Sequence, residues 1–259
     1  EDPDSWVGGG KRGNLPCGSH PDVRATLTEP PIQDMCEELV GKDTLKISNH
    51  TFSKPVYPTG KCEEEWEAPK HGHLDGHGLC VGSVQPFTIA VTVNMADVKP
   101  KAGGFTVWPG THKRVYDYFR EHSILNGLKS LQDDEGEWDD LPDAVENPGP
   151  AGTVTFWHNR MMHSAGNNCG KDIRLACVSR FSRKDLIDIQ FETPENMWEY
   201  WEIYPPRTPL PRAGERAGKS QAIRIGEVMG FFTQDEVEHF KENGFVRKYD
   251  VVDRRLLGK

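Results

Sequence analysis

The sequence lacks paired cysteines, a surplus of positive charge and a long hydrophobic run. Its six cysteines include no C-x-x-C pair, which argues against a zinc site or a disulfide framework and favours reduced thiols in the cytoplasm. The net charge of −9 offers no positive field to a nucleic-acid backbone or an anionic membrane surface. No apolar stretch is long enough to span a membrane, and the first residues do not resemble a signal peptide. We therefore expect a soluble cytoplasmic protein that binds neither nucleic acid nor membranes.

Short runs of β-branched and aromatic residues dominate the middle of the 259-residue chain, which is long enough for one sizeable core. They predict strands over residues 45–53, 86–95, 103–108, 152–157 and 173–181. We expect Pro55 and Pro58 to break the first strand, and the glycines and asparagines at 166–170 to join the last two. Many short strands and few long helices favour a mainly β sandwich or jelly roll.

Apolar residues at helical spacing predict three helices beside these strands. The first covers residues 31–40, the second covers 111–122 with Thr111 as its cap, and the third covers 233–243. Thr233 and Glu236 form a capping box for the third helix, and Gly244 ends it. The acidic residues 132–146 predict a solvated loop, and the proline-rich residues 205–220 predict a linker.

His73 and Asp75 are the residues most suggestive of chemistry. Side chains two apart on a strand point to the same face, so an imidazole nitrogen and a carboxylate oxygen can meet at one cation. We choose His163 as the third ligand, because two histidines and one carboxylate leave positions open on an iron ion. Arg174 lies near the start of the next predicted strand, and a buried guanidinium there suits a dicarboxylate co-substrate. A structural role for each of these residues stays open at this point.

The order of these residues is similar to that of the phytanoyl-CoA dioxygenase family of iron(II)- and 2-oxoglutarate-dependent oxygenases. The resemblance begins at residues 31–41 and continues through the H-x-D pair at 73–75. It includes GGFTVWPGTHK at 103–113, HSAGNN at 163–168 and then Arg174. Roughly residues 20–185 are covered, and the joint order of these pieces is specific where each piece alone is not.

The resemblance implies a double-stranded β-helix, the jelly roll of cupin-like proteins, with flanking α-helices. It implies that His73, Asp75 and His163 bind Fe(II), that Arg174 holds the far carboxylate of 2-oxoglutarate, and that Thr92 lines the co-substrate pocket. The implied reaction uses O2 to hydroxylate or otherwise oxidise a small organic substrate, with succinate and CO2 as co-products.

A different class of function also fits the histidines and the carboxylate. A cupin-like isomerase, or a module that binds a small molecule, would hold a metal without redox chemistry. Arg174 favours the oxygenase, because a metal site without a dicarboxylate co-substrate needs no guanidinium nearby.

Residues 233–246 resemble the helix and strand that normally precede the core of this family, yet here they follow it. We expect a single oxygenase domain over residues 1–259, with its core at about 20–185 and the linker at 205–220. Residues 221–259 then belong either to a tandem polypeptide or to a permuted domain, in which they would pack beside residues 30–55. We favour the tandem arrangement, which makes a neighbouring domain a partner.

Overall fold

The computed structural model describes residues 15–46, 51–75, 88–122, 140–189, 192–203 and 230–257. Its strands are β1 (Thr51–Val56), β2 (Ile89–Asn94), β3 (Phe105–Val107), β4 (Val145–Asn147), β5 (Val154–His158), β6 (His163–Ala165), β7 (Arg174–Phe181) and β8 (Phe245–Lys248). They form two antiparallel sheets, one in the order β1-β7-β2-β5-β8 and the other in the order β4-β3-β6.

Six helices accompany the sheets in the described ranges. They are α1 (Pro21–Thr28), α2 (Ile32–Val40), α3 (Thr111–Glu121), α4 (Leu186–Ile189), α5 (Gln234–Asn243) and α6 (Arg254–Leu257). A short 3-10 turn covers Glu63–Glu65. None of these helices is both long and apolar enough to cross a membrane.

The two faces of the large sheet bury different cores, because side chains alternate along each strand. On the outer face, residues such as Val91 and Phe156 pack with Leu39 of α2 and Phe240 of α5. On the inner face, Ala90, Trp157 and Val178 pack against Phe105 and Val107 of the small sheet. The molecule is therefore a mainly β jelly roll with helices on its outer side, as the sequence predicted, and the site lies between the two sheets.

The C-terminal segment packs against the same large sheet. Strand β8 pairs with β5, with Phe245 opposite Trp157. The carboxylate of Glu38 in α2 accepts hydrogen bonds from the backbone N–H groups of Phe231 and Phe232, at 2.7 and 2.9 Å. The capping box of Thr233 and Glu236 is present, and Gly244 ends α5 with a φ of +81°, so the prediction for this helix is confirmed. The predicted linker at 205–220 lies outside the described residues.

Three local predictions were wrong, each for a reason of context. Strand β1 continues through Pro55 to Val56, because among the described strands it lies at the edge of the large sheet, where a missing N–H is tolerated. The N-cap of α3 is Gly110, with a φ of +79°, and the hydroxyl of Thr111 donates to the carbonyl of Trp108 instead of capping the helix. The end of the acidic segment forms β4, whereas residues 132–139 lie outside the described ranges.

The last two predicted strands exist but are not neighbours. Strand β5 pairs with β2 and β8, whereas β7 pairs with β1 and β2. The chain between them forms β6, which belongs to the small sheet. Hydrophobic alternation predicts that a strand exists, but not which strand it pairs with. This crossing between the sheets brings His163 towards the other predicted ligands.

Candidate metal centre

An isolated β-bridge brings His73 and His163 together, although residues 73–75 do not form the strand that the sequence suggested. The N–H of His73 donates to the carbonyl of His163 at 2.9 Å, and the N–H of His163 donates to the carbonyl of His73 at 3.1 Å. His163 is also the first residue of β6, where it lies opposite Val107 of β3. The two imidazole rings are 4.4 Å apart between centroids. The two backbone hydrogen bonds of this bridge therefore fix the distance between the two histidines.

Asp75 lies between the two imidazoles. Its Oδ1 is 3.3 Å from Nε2 of His73, and its Oδ2 is 3.6 Å from Nε2 of His163. One donor atom from each of the three residues lies within 4.8 Å of the other two. Adjacent ligands about 2.1 Å from one metal ion lie about 3 Å apart, so a small inward movement would let all three bind one cation.

The protonation states of His163 and Asp75 suit a divalent cation. Nδ1 of His163 lies 3.0 Å from the carbonyl oxygen of Met161; since a carbonyl only accepts, Nδ1 carries the proton and Nε2 has its lone pair available. Burial lowers the pKa of His163, which keeps the ring neutral. Burial would raise the pKa of Asp75, but its contact with His73 and the hydrogen bond from the positively charged Arg180 hold this pKa well below its usual range. Two imidazoles and one carboxylate are the donor set of a non-heme iron site.

Arg174 lines the same cavity as the three predicted ligands. It is 6% exposed, and its Nη1 lies 3.5 Å from the carbonyl oxygen of Lys54. The cavity has a volume of about 370 Å³. Its wall includes the three ligands, Arg174, Lys54, Phe105, Trp157, Ser164 and Val178. The structure therefore brings together four of the five site residues that the sequence predicted.

Thr92 lies beside the cavity and not in its wall. It is buried on the inner face of β2, and its hydroxyl accepts a hydrogen bond from Nε1 of Trp157 at 3.1 Å. Trp157 itself lines the cavity, so Thr92 can affect the site only by orienting the indole. Of the neighbouring histidines, His71 is exposed and the ring of His158 stacks on Trp201, with 4.9 Å between centroids.

Two cationic residues that the sequence analysis did not select also lie at the site. Nη2 of Arg180 donates to Oδ2 of Asp75 at 2.6 Å. Lys54 lines the cavity from β1, opposite Ala176 of β7. A signal for Arg180 existed, because the alternation that starts at Arg174 places it on the same face. Lys54 was missed because the strand was expected to end at residue 53, so Lys54 was not assigned to a face of the sheet.

Gly72 allows the chain that carries His73 to lie close to an indole ring. A Cβ at this position would be 2.6 Å from Cζ3 and 2.9 Å from Cε3 of Trp108. Trp108 is 3% exposed and cannot easily move away. A glycine is therefore needed here for close packing, one residue before the first ligand.

Comparison with known proteins agrees with this geometry. The sequence profile of the phytanoyl-CoA dioxygenase family matches residues 6–176, which is more than half of the chain and includes all four cavity-lining site residues. The chain belongs to this family. The match ends inside β7, so α5 and β8 lie beyond it.

More distant similarities link the chain to individual proteins. A probable alpha-ketoglutarate-dependent hypophosphite dioxygenase of Stutzerimonas stutzeri is 25% identical over 142 residues, which are 53% of this chain and 44% of that protein. The chain thus matches less than half the length of this relative.

Solved structures show weaker similarity. The carbocyclase SnoK of nogalamycin biosynthesis has a TM-score of 0.41 and 20% identity, covering 70% of each chain. EctD of S. alaskensis, with 2-oxoglutarate and 5-hydroxyectoine, has a TM-score of 0.41 and 17% identity, covering 66% of this chain and 55% of its own. Similarity at this level says nothing about the substrate of this protein.

Proposed function

We propose that this protein is an iron(II)- and 2-oxoglutarate-dependent oxygenase that oxidises a small organic substrate. The main support is that one ligand atom from each of His73, Asp75 and His163 lies within 4.8 Å of the other two, in a cavity that Arg174 also lines. A metal site without redox chemistry explains the three ligands but not the buried guanidinium. The relative from Stutzerimonas stutzeri, named for its dependence on alpha-ketoglutarate, supports the same co-substrate here.

The roles of the residues follow from their positions. His73, Asp75 and His163 would hold Fe(II), because Nε2 of His163 and the ionised carboxylate face each other. Arg174 would bind the far carboxylate of 2-oxoglutarate, since a guanidinium pairs with a carboxylate through two parallel hydrogen bonds. Phe105, Trp157 and Val178 give the cavity apolar walls, which exclude water from the reacting groups. Bound iron, 2-oxoglutarate and O2 would supply the oxidising chemistry, with succinate and CO2 as products.

An anaerobic titration tests this proposal. We expect Fe(II) and 2-oxoglutarate, added together under argon, to produce the visible charge-transfer band of a chelated keto acid. Admission of O2 should then release succinate. The matched control is His163→Ala, which removes one ligand and should abolish the band. A wild-type protein that binds the metal but gives neither band nor succinate would exclude the oxygenase.

We propose that residues 230–257 act as part of this same domain. Pairing of β8 with β5 and the bonds from Glu38 to the start of the segment support this arrangement. The tandem alternative predicts that a following unit would use the same segment for its own sheet. We also propose a cytoplasmic location, which the free thiols of the five described cysteines support.

A further inference from the structure

The wall of the candidate cavity carries more positive charge than the proposed cofactors require. Lys54 and Arg174 line the cavity, and Arg180 contacts Asp75 from the same face of β7. Asp75 is the one acidic residue among the described residues of this wall. The charge of Fe(II) is balanced by that of 2-oxoglutarate, and Asp75 balances one side-chain cation. Positive side chains remain in excess.

Lys54 is the cation for which the proposed function gives no role. Arg174 is assigned to 2-oxoglutarate, and Arg180 already donates to Asp75. Lys54 forms no ion pair with an acidic residue in the part of the chain that the structure describes. A partly buried ammonium that has no acidic partner within ion-pair distance is stabilised when an anion enters the cavity.

The position of Lys54 is also fixed. Its Nζ lies 5.4 Å from the ring centroid of Phe52, and the guanidinium of Arg180 lies 5.0 Å from the same centroid. Both contacts are within the range of cation–π attraction. The aromatic ring therefore holds the two cations near Asp75 before any ligand binds, as expected of a built recognition site.

We propose that Lys54 binds an anionic group of the substrate, and that the substrate is a small organic acid or comparable oxyanion. This inference rests on the proposed oxygenase function and specifies its substrate class. A cavity of about 370 Å³ lies near the lower end of ligand pockets, and 2-oxoglutarate would occupy part of it. The remaining space suits a compact molecule whose carboxylate or phosphonate reaches Lys54.

The test uses matched acids and amides as probes. Propionate and propionamide, and cyclopropanecarboxylate and its amide, are titrated anaerobically into the full chain saturated with Fe(II) and 2-oxoglutarate. Shifts of the visible band give each dissociation constant. We expect each acid to bind about tenfold or more tightly than its amide, since a charge-assisted hydrogen bond is the stronger kind. Lys54→Met should weaken acid binding about tenfold and leave amide binding unchanged.

Two further variants serve as controls. Lys54→Arg keeps the charge and should retain most of the acid preference, whereas Lys171→Met removes an exposed lysine that is not among the lining residues of the cavity and should change nothing. Circular dichroism establishes that each variant is folded.

Three other results would overturn the proposed role of Lys54, the substrate class or the oxygenase function itself. Equal binding of acid and amide to a protein that shows the band overturns the substrate class and leaves the oxygenase standing. A Lys54→Met variant that loses affinity for 2-oxoglutarate but not for the probe overturns the inference by assigning Lys54 to the co-substrate. A wild-type protein without the band overturns the proposed function, and the substrate class with it.

Discussion

At the centre of the candidate site, one carboxylate contacts three nitrogen-bearing side chains. Asp75 lies within 3.6 Å of the nearest nitrogens of His73 and His163 and accepts a hydrogen bond from Arg180 at 2.6 Å. These contacts hold the carboxylate in one orientation before a metal arrives. Preorganisation of this kind reduces the cost of ordering the ligands when the ion binds.

Substitution of Arg174 tests its proposed role in binding 2-oxoglutarate. Arg174→Met should raise the KM for 2-oxoglutarate about ten- to hundredfold, because the variant loses a charge-assisted hydrogen bond to a carboxylate. Arg174→Lys should recover only part of this loss, since an ammonium cannot make the two parallel bonds of a guanidinium. The measurement is the rate of succinate formation against 2-oxoglutarate concentration.

The matched control for this experiment is Arg255→Met, at a side chain that is 89% exposed. It should leave the KM unchanged. If Arg174→Met has the same KM as the wild type, the guanidinium is structural and the co-substrate binds elsewhere.

The close packing of residues 71–75 against Trp108 determines where His73 lies. Gly72→Ala would place a methyl group 2.6 Å from the buried indole, so the segment that carries His73 must shift away from Trp108. We expect iron affinity to fall about tenfold, because metal affinity depends strongly on how the ligands are oriented. The unfolding free energy should fall by about 1–3 kcal/mol. Isothermal titration with Fe(II) and urea denaturation measure the two effects.

A second substitution tests whether crowding against Trp108 causes the loss of iron affinity in Gly72→Ala. Trp108→Leu in the Gly72→Ala background makes room for the methyl group, so iron affinity should recover relative to the single variant. The cycle of single and double variants gives the coupling energy directly. Additive losses would mean that the two side chains do not compete for the same space.

The cap of α5 offers a simpler test. The hydroxyl of Thr233 accepts from the N–H of Glu236, whose carboxylate accepts from the N–H of Thr233. Thr233→Ala should reduce the unfolding free energy by about 1 kcal/mol, because one N–H of the first turn loses its acceptor. Gln234→Ala, at the next exposed position, should cost less than about 0.5 kcal/mol. Equal losses in urea denaturation would show that the cap contributes nothing.

The parts of the fold that could be predicted are those that local chemistry determines. The helix at α5 followed from its capping residues, and most strands followed from β-branched runs. Strand β4 was not predicted, because the sequence around Val145 is acidic and only pairing with β3 makes it a strand. In the site, the H-x-D pair at 73–75 and His163 could be predicted from the sequence. The position of Lys54 could not, because it depends on which strand lies next to β1.

His112 connects three separate parts of the chain. It lies on α3, and its Nε2 is 3.0 Å from the carbonyl oxygen of Lys241 in α5. Its ring is 5.4 Å from that of His158 in β5. Burial lowers the pKa of His112 to about 4, although the bond with Lys241 opposes this effect. The folded protein therefore favours the neutral ring.

The lowered pKa predicts a loss of stability in acid. Below about pH 6.5 the unfolded chain binds a proton at His112 that the folded chain binds only near pH 4, so the unfolding free energy falls across this window. Between pH 7.5 and pH 5, His112 should account for about 2 kcal/mol of the loss. Urea denaturation of the metal-free protein at both pH values measures the total change.

His112→Gln isolates this contribution, because glutamine can donate to the Lys241 carbonyl and does not titrate. The variant should lose about 2 kcal/mol less than the wild type over the same pH range. Identical pH dependence in the two proteins would show that His112 is not buried in its neutral form.

The position of β8 has a consequence for how the protein is made. All the proposed ligands and Arg174 leave the ribosome before the strand that covers the free edge of β5. Until that strand arrives, the nascent sheet presents unpaired N–H and C=O groups that can recruit a strand from another chain. Correct assembly of the site-bearing sheet thus waits for β8 to be translated, and slow synthesis of this strand would prolong the time during which the edge of β5 is exposed.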